Sequence, residues 1–146
     1  MTESRPSEPT RRVLLCIDLQ RGLGDPRFGP RSTPQAEARI TDLLRAWRAA
    51  GWPVLHVRHA STEPESPLRP DRPGYAFTPE GEPAPGEPVL VKHVNSAFIG
   101  TDLEARLRQA GWTALTVVGM TTDHCVSTTV RMAGNLGFDV QLVADA

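Results

Sequence analysis

Val13-Leu14-Leu15-Cys16-Ile17 is an unbroken apolar run that stops on a carboxylate, Asp18. A run this short, with no polar alternation, reads as a strand buried on both faces, as in a parallel sheet. Working outward, Gln20 to Ser32 is rich in Gly, Pro and Arg and reads as a loop. Thr33-Pro34 then opens a helix, with Thr as N-cap and Pro at the first helical position. Ile40, Leu43, Leu44 and Trp47 recur at helical spacing, and Gly51 suits the C-terminal cap. Pro53 to Arg58, with Val54, Leu55 and Val57, reads as a second strand.

Val89-Leu90-Val91 is a third strand, ending at Lys92. Thr101-x-x-Glu104 has the pattern of a capping box. Leu103, Leu107 and Ala110 share the face of the helix it opens, and Gly111 closes it. Ala114 to Val118 is a fourth strand, running into Gly119-Met120-Thr121-Thr122. A helix follows from about Asp123 to Leu136, closed by Gly137, and Phe138 to Val143 alternates as a fifth strand. Strands that alternate with helices predict an α/β fold, a mainly parallel sheet covered on both faces. Residues 60–90 break the alternation. They hold eight of the 14 prolines, interleaved with six acidic residues. They read as an excursion over the sheet edge, a lid or an oligomer contact, with Tyr75 and Phe77 as aromatic anchors.

The chain has 146 residues, enough for one domain. The reading divides it into a loose polar tail, 1–11, and a single domain, 12–146. With 39% hydrophobic and 23% charged residues, wholesale disorder is excluded. A net charge of -1 points to neither a nucleic-acid nor a polybasic membrane partner. No apolar run is long enough to span a bilayer, and Met1 to Arg12 has no signal-like apolar stretch. Two cysteines make no disulfide framework, so the expected location is cytoplasmic.

In such sheets ligands bind beyond the carboxyl ends of the strands. Asp18, Lys92 and the Gly119-to-Cys125 turn all fall there. Cys125 lies at a helix start, where free N–H groups and the helix dipole favour a thiolate and can hold an oxyanion. The plain alternative is an inert buried cysteine, which is how Cys16, mid-strand, reads. Asp18 is either a cap at the strand end or a general base for the thiol. Lys92 stands out by count, since the other 15 of the 16 basic residues are arginine. A compact ammonium paired with Asp18 is one reason for a lysine there. His56 and His59 read as structural or pocket-lining, because no further ligand cluster accompanies them. Arg58 or Arg21 offers a cation for a substrate carboxylate, with surface solvation as the alternative.

Three segments together carry a resemblance: Leu15-Cys16-Ile17-Asp18-Leu19-Gln20, Val91-Lys92-His93 through Phe98 to Thr101-Asp102-Leu103, and Gly119-Met120-Thr121-Thr122-Asp123-His124-Cys125-Val126. They resemble the isochorismatase-like cysteine hydrolase superfamily, which includes nicotinamidases, carbamoylsarcosine amidases and ureidoacrylate amidases. The resemblance runs from about Arg12 to Ala146 and implies a three-layer α/β/α fold. It implies Asp18 as base, Lys92 as electrostatic partner and Cys125 as nucleophile. The oxyanion donors become the N–H groups of Thr121 and Cys125, and a non-proline cis peptide maps to Met120–Thr121.

The implied reaction is hydrolysis of a small amide or carbamoyl C–N bond through a thioester. Gln20, Tyr75, Phe77 and Phe98 are the expected substrate-pocket residues. Zinc-binding members carry Asp-x-His after the second strand, whereas this chain reads His56-Val57-Arg58-His59, so neither metal nor cofactor is expected. The expected partners are a small-molecule substrate and further copies of the chain, as a dimer or larger. Members of the superfamily continue with a further helix and strand beyond the equivalent of Asp145-Ala146, so the fold is expected to end short at its C-terminus. Two other readings remain beside the hydrolase: a catalytically silent binding or scaffold protein with this fold, and a redox-reactive thiol protein using Cys125.

Overall fold

The computed structural model describes residues 12–20, 36–66, 68–79, 81–94, 96–119 and 126–143. Five strands form one sheet: β1 (Val13–Ile17), β2 (Val54–His59), β3 (Val89–Lys92), β4 (Ala114–Gly119) and β5 (Asp139–Leu142). Their order is β3-β2-β1-β4-β5, and every neighbouring pair is parallel. The described helices are α1 (Ala36–Ala50), α2 (Leu103–Gln109) and α3 (Ser127–Asn135). The expected tail, the Thr33-Pro34 helix start, the Met120-to-Cys125 turn and Asp145-Ala146 lie outside the described residues.

The apolar run 13–17 is the central strand, buried along its whole length. Side chains alternate across a strand, so it feeds two cores. Val13, Leu15 and Ile17 join Leu55, Val57, Leu90, Leu115 and Val117 beneath α2 and α3. Leu14 and Cys16 join Ile40, Leu44, Val54 and Val118 beneath α1. Each such side chain contributes about 1.5–3 kcal/mol on burial. Trp47 adds a polar tie, its Nε1 donating to the Arg12 carbonyl at 2.8 Å.

The order of elements makes the two faces necessary. Crossovers between parallel strands are right-handed. The chain steps outward from β1 to β2 to β3 on the α1 face, then returns from β3 to β4 and β5 on the other. The β2-to-β3 crossover is the proline-rich excursion, which includes a 3-10 turn at Pro73–Tyr75. It covers the sheet where a second helix would otherwise sit beside α1. Phe77 is its buried anchor and bridges antiparallel to Gln20.

Three expectations are corrected. The Thr101-x-x-Glu104 capping box does not form. Thr101 Oγ1 instead accepts from Leu103 N at 3.2 Å, and Glu104 pairs with Arg108 one turn on. Ala110 is exposed and caps α2 rather than facing the core. β3 is buried on one face only, with Val89 and Val91 outward and Leu90 and Lys92 inward, because it is an edge strand.

Candidate active site

β1 is where the sheet order reverses, so the crevice between β1 and β4 is the natural binding position. Gly119 closes that seam at its carboxyl end. It pairs with Ile17, and a Cβ there would run into the Ile17 carbonyl oxygen. Residues 120–125 connect this glycine to Val126 at the start of α3.

Asp18 leaves β1 with φ at +57°, the left-handed conformation that Asp tolerates better than most side chains. Its N–H still donates to Val57 at 2.8 Å, and its carbonyl accepts from Gln20 N at 2.8 Å. The sharp turn this makes carries the Asp18 carboxylate to Lys92, at the far end of the edge strand. Nζ stands 3.2 Å from Asp18 Oδ2. Lys92 is 0% and Asp18 1% exposed. A charge so buried is costly unless paired, and here the two charges answer each other.

Lys92 also meets two groups at the ends of β2 and β3. Nζ donates to the Val94 carbonyl at 3.0 Å and meets His59 Nδ1 at 3.0 Å. An ammonium has no lone pair, so His59 Nδ1 accepts, and the imidazole is neutral with its proton on Nε2. Burial first, then the electrostatic influence of Lys92 and His93, pushes the His59 imidazole down to about 4, against a hydrogen bond to the Val94 backbone. The sequence reading of His59 as structural or pocket-lining did not place it against Lys92. Its register partner in β3 is Lys92, a pairing visible only once the sheet is built.

Gln20 is fully buried, and its amide is engaged on all sides. Nε2 donates to the carbonyls of His59 at 2.9 Å and Tyr75 at 3.1 Å, while Oε1 accepts from His59 N at 2.8 Å. It ties the Asp18 turn to the end of β2, rather than offering its amide to a substrate. Tyr75 and Phe77 gather on the α1 face, where the Arg58 guanidinium lies 4.2 Å and 4.9 Å from their ring centroids. Phe98 does not join them. Its ring stacks on Phe138, the residue before β5, and packs against the core beneath α2 and α3. Thr121 and Cys125 lie outside the described residues.

Strand alternation also separates the two histidines of β2. His56 faces α1, where its Nε2 meets Glu87 Oε1 at 2.7 Å. Arg48 holds both oxygens of that carboxylate, at 2.8 and 2.9 Å. Burial lowers the His56 imidazole. Among the described residues no group of three or more His, Cys, Asp or Glu is placed to hold a metal ion. No described helix is long and apolar enough to cross a membrane.

A parallel sheet with a buried Asp–Lys pair beyond its strand ends places the chain in the α/β class whose ligands bind at the carboxyl ends of the strands. Comparison with known proteins narrows the class. Residues 12–146 match the isochorismatase domain, and the chain belongs to the isochorismatase family of hydrolases. A crystal structure of an isochorismatase-family protein from Chromobacterium violaceum superimposes with a TM-score of 0.91 at 53% identity, covering 99% of this chain and 75% of that one. The isochorismatase family protein YrdC of Bacillus subtilis is 41% identical, over 93% of this chain and 73% of its own length. The N-carbamoylsarcosine amidase of Thermoplasma acidophilum superimposes with a TM-score of 0.77 at 26% identity, covering 94% of this chain and 83% of that one.

Proposed function

We propose that the chain hydrolyses an amide or carbamoyl C–N bond of a small molecule, with Cys125 as nucleophile. The observation that carries this reading is the buried Asp18–Lys92 pair, 3.2 Å apart, beside the seam from which residues 120–125 depart. Similarity to a carbamoylsarcosine amidase supports the bond type.

In this mechanism the Cys125 thiol gives its proton to the Asp18 carboxylate, and the thiolate attacks the amide carbon. The carbonyl electron pair moves to oxygen and is received by the N–H groups of Thr121 and Cys125. Collapse of the tetrahedral adduct breaks the C–N bond, and the amine leaves with the proton held by Asp18. A thioester remains. Water then yields a proton to Asp18 and attacks the thioester. The departing sulfur takes that proton back, which restores the starting state. Lys92 balances charge throughout. It offsets the carboxylate while Asp18 is ionised, and the thiolate while the proton sits on Asp18.

Ammonia or amine release from a panel of small amides and ureas tests this reading. Cys125→Ala and Asp18→Asn are each expected to abolish turnover. A Cys125→Ala variant with full turnover refutes it.

A further inference from the structure

We propose that His59 is a positioning residue, whose Nδ1 lone pair holds the Lys92 ammonium in place beside Asp18. The inference rests on the reading of Asp18 and Lys92 as working parts of the hydrolytic site. It adds a third member to that pair and accounts for the place of Gln20.

An ammonium turns freely about its last bond unless acceptors hold it. Nζ donates to Val94 O and His59 Nδ1, each at 3.0 Å, and these acceptors hold it 3.2 Å from Asp18 Oδ2 as an ion pair. Two of these three groups have fixed origins. Val94 is two residues along the chain, and Asp18 is set by its left-handed turn. The third depends on how the end of β2 is held, and Gln20 holds it. The Gln20 amide grips both the N–H and the carbonyl of His59. Gln20 N in turn donates to Asp18 O at 2.8 Å.

The contacts therefore close a ring: Asp18, Gln20, His59, Lys92 and back to Asp18. One turn of chain after β1 supplies both the carboxylate and the clamp on the residue that orients its cation. The role requires a neutral His59 with an open Nδ1. Protonation there would set two cations 3.0 Å apart. Burial together with Lys92 and His93 opposes it.

Two variants separate positioning from bulk. His59→Asn keeps an acceptor oxygen near the place of Nδ1, and His59→Leu keeps the volume without the acceptor. The rate of Cys125 alkylation by iodoacetamide is followed from pH 5 to 9 by residue-resolved mass spectrometry, with thermal melting to show that each variant is folded. Wild type is expected to level off well below the ordinary thiol value of about 8.5. His59→Leu is expected to lose about tenfold in rate at neutral pH, as when one buried charged donor loses its acceptor. His59→Asn should stay within about twofold of wild type, well inside that loss.

Long-range proton–nitrogen NMR of the wild-type imidazole supplies a readout free of sulfur chemistry. An unprotonated Nδ1 persisting at pH 6 is the expected result. A proton on Nδ1 overturns the inference at once. A folded His59→Leu protein with the wild-type alkylation profile overturns the positioning role and leaves the hydrolase reading standing. A wild-type Cys125 with an ordinary thiol profile overturns the hydrolase reading and the positioning role together.

Discussion

Lys92→Met removes the ammonium while keeping most of the side chain's length and apolar volume. It strands Asp18, 1% exposed, without the cation 3.2 Å away. At an effective dielectric constant near 20, unit charges at that distance attract by about 5 kcal/mol. Removing one partner of a buried ion pair costs about 3–5 kcal/mol, mostly the penalty of the charge left behind. The two figures agree. They amount to a large part of the roughly 5–15 kcal/mol that stabilises a typical domain.

Urea unfolding at pH 7 reads the loss as a lower midpoint at unchanged slope. The double variant Asp18→Asn/Lys92→Met removes both charges. It should recover most of the loss, because a buried pair replaced by neutral groups is often close to neutral in stability. Asp18→Asn alone completes the cycle, and its coupling energy should be about 3 kcal/mol or more. The reasoning fails if Lys92→Met lies within about 1 kcal/mol of wild type, the value of an exposed pair. It fails equally if the double variant is as unstable as the sum of its singles.

Three further outcomes follow from the same geometry. Gly119→Ala should lose about 1–3 kcal/mol by differential scanning calorimetry, because the new methyl meets the Ile17 carbonyl and must push β4 off β1. Burial works to raise the Glu87 carboxyl, but hydrogen bonds from Arg48, the Ala84 N–H and His56 overcome it and hold the group at about 2 against an ordinary 4.5. The stability this confers is complete above about pH 4.5 and is lost as pH falls toward 2. A Glu87→Gln protein should therefore show a flatter acid limb in pH-dependent urea midpoints. Burial drives the Cys16 thiol well above the ordinary thiol range. Mass spectrometry should find Cys16 unmodified by iodoacetamide in the native protein at pH 8 and modified in urea, and native labelling would show that β1 opens.

What the sequence disclosed about this protein follows from the range of each interaction. The run Val13–Ile17 announces a doubly buried strand, because burial on both faces leaves no room for polar residues. The strand-end positions of Asp18 and Lys92 are equally legible, since an apolar run stops on each. The solitary lysine among arginines is the residue that pairs with Asp18, but composition says nothing of the other company it keeps. His59 escaped because its partner is 33 residues away and set by the β2–β3 register. Gln20 read as a pocket residue because it follows Asp18. Only the return of β2 beside β1 shows that its amide is fully engaged by backbone. The contact of Phe98 with Phe138, 40 residues on, is likewise set by tertiary packing and leaves no trace in local sequence.

β2 shows how parity assigns chemistry that composition cannot. His56 and His59 stand three residues apart on one strand, and an odd spacing sends them to opposite faces. On the α1 face, His56 meets a carboxylate, which can only accept. The imidazole therefore donates from Nε2, and it fastens the end of the excursion to Arg48 and the sheet. On the other face, His59 meets an ammonium, which can only donate, so the imidazole accepts at Nδ1. Burial opposes protonation of both rings, and one donates while the other accepts, to partners of opposite charge. Exchanging those partners would put an unprotonated nitrogen against a carboxylate on one face and a proton against an ammonium on the other. The strand's register, rather than the residue type, therefore decides which histidine braces the scaffold and which one faces the Asp18–Lys92 pair.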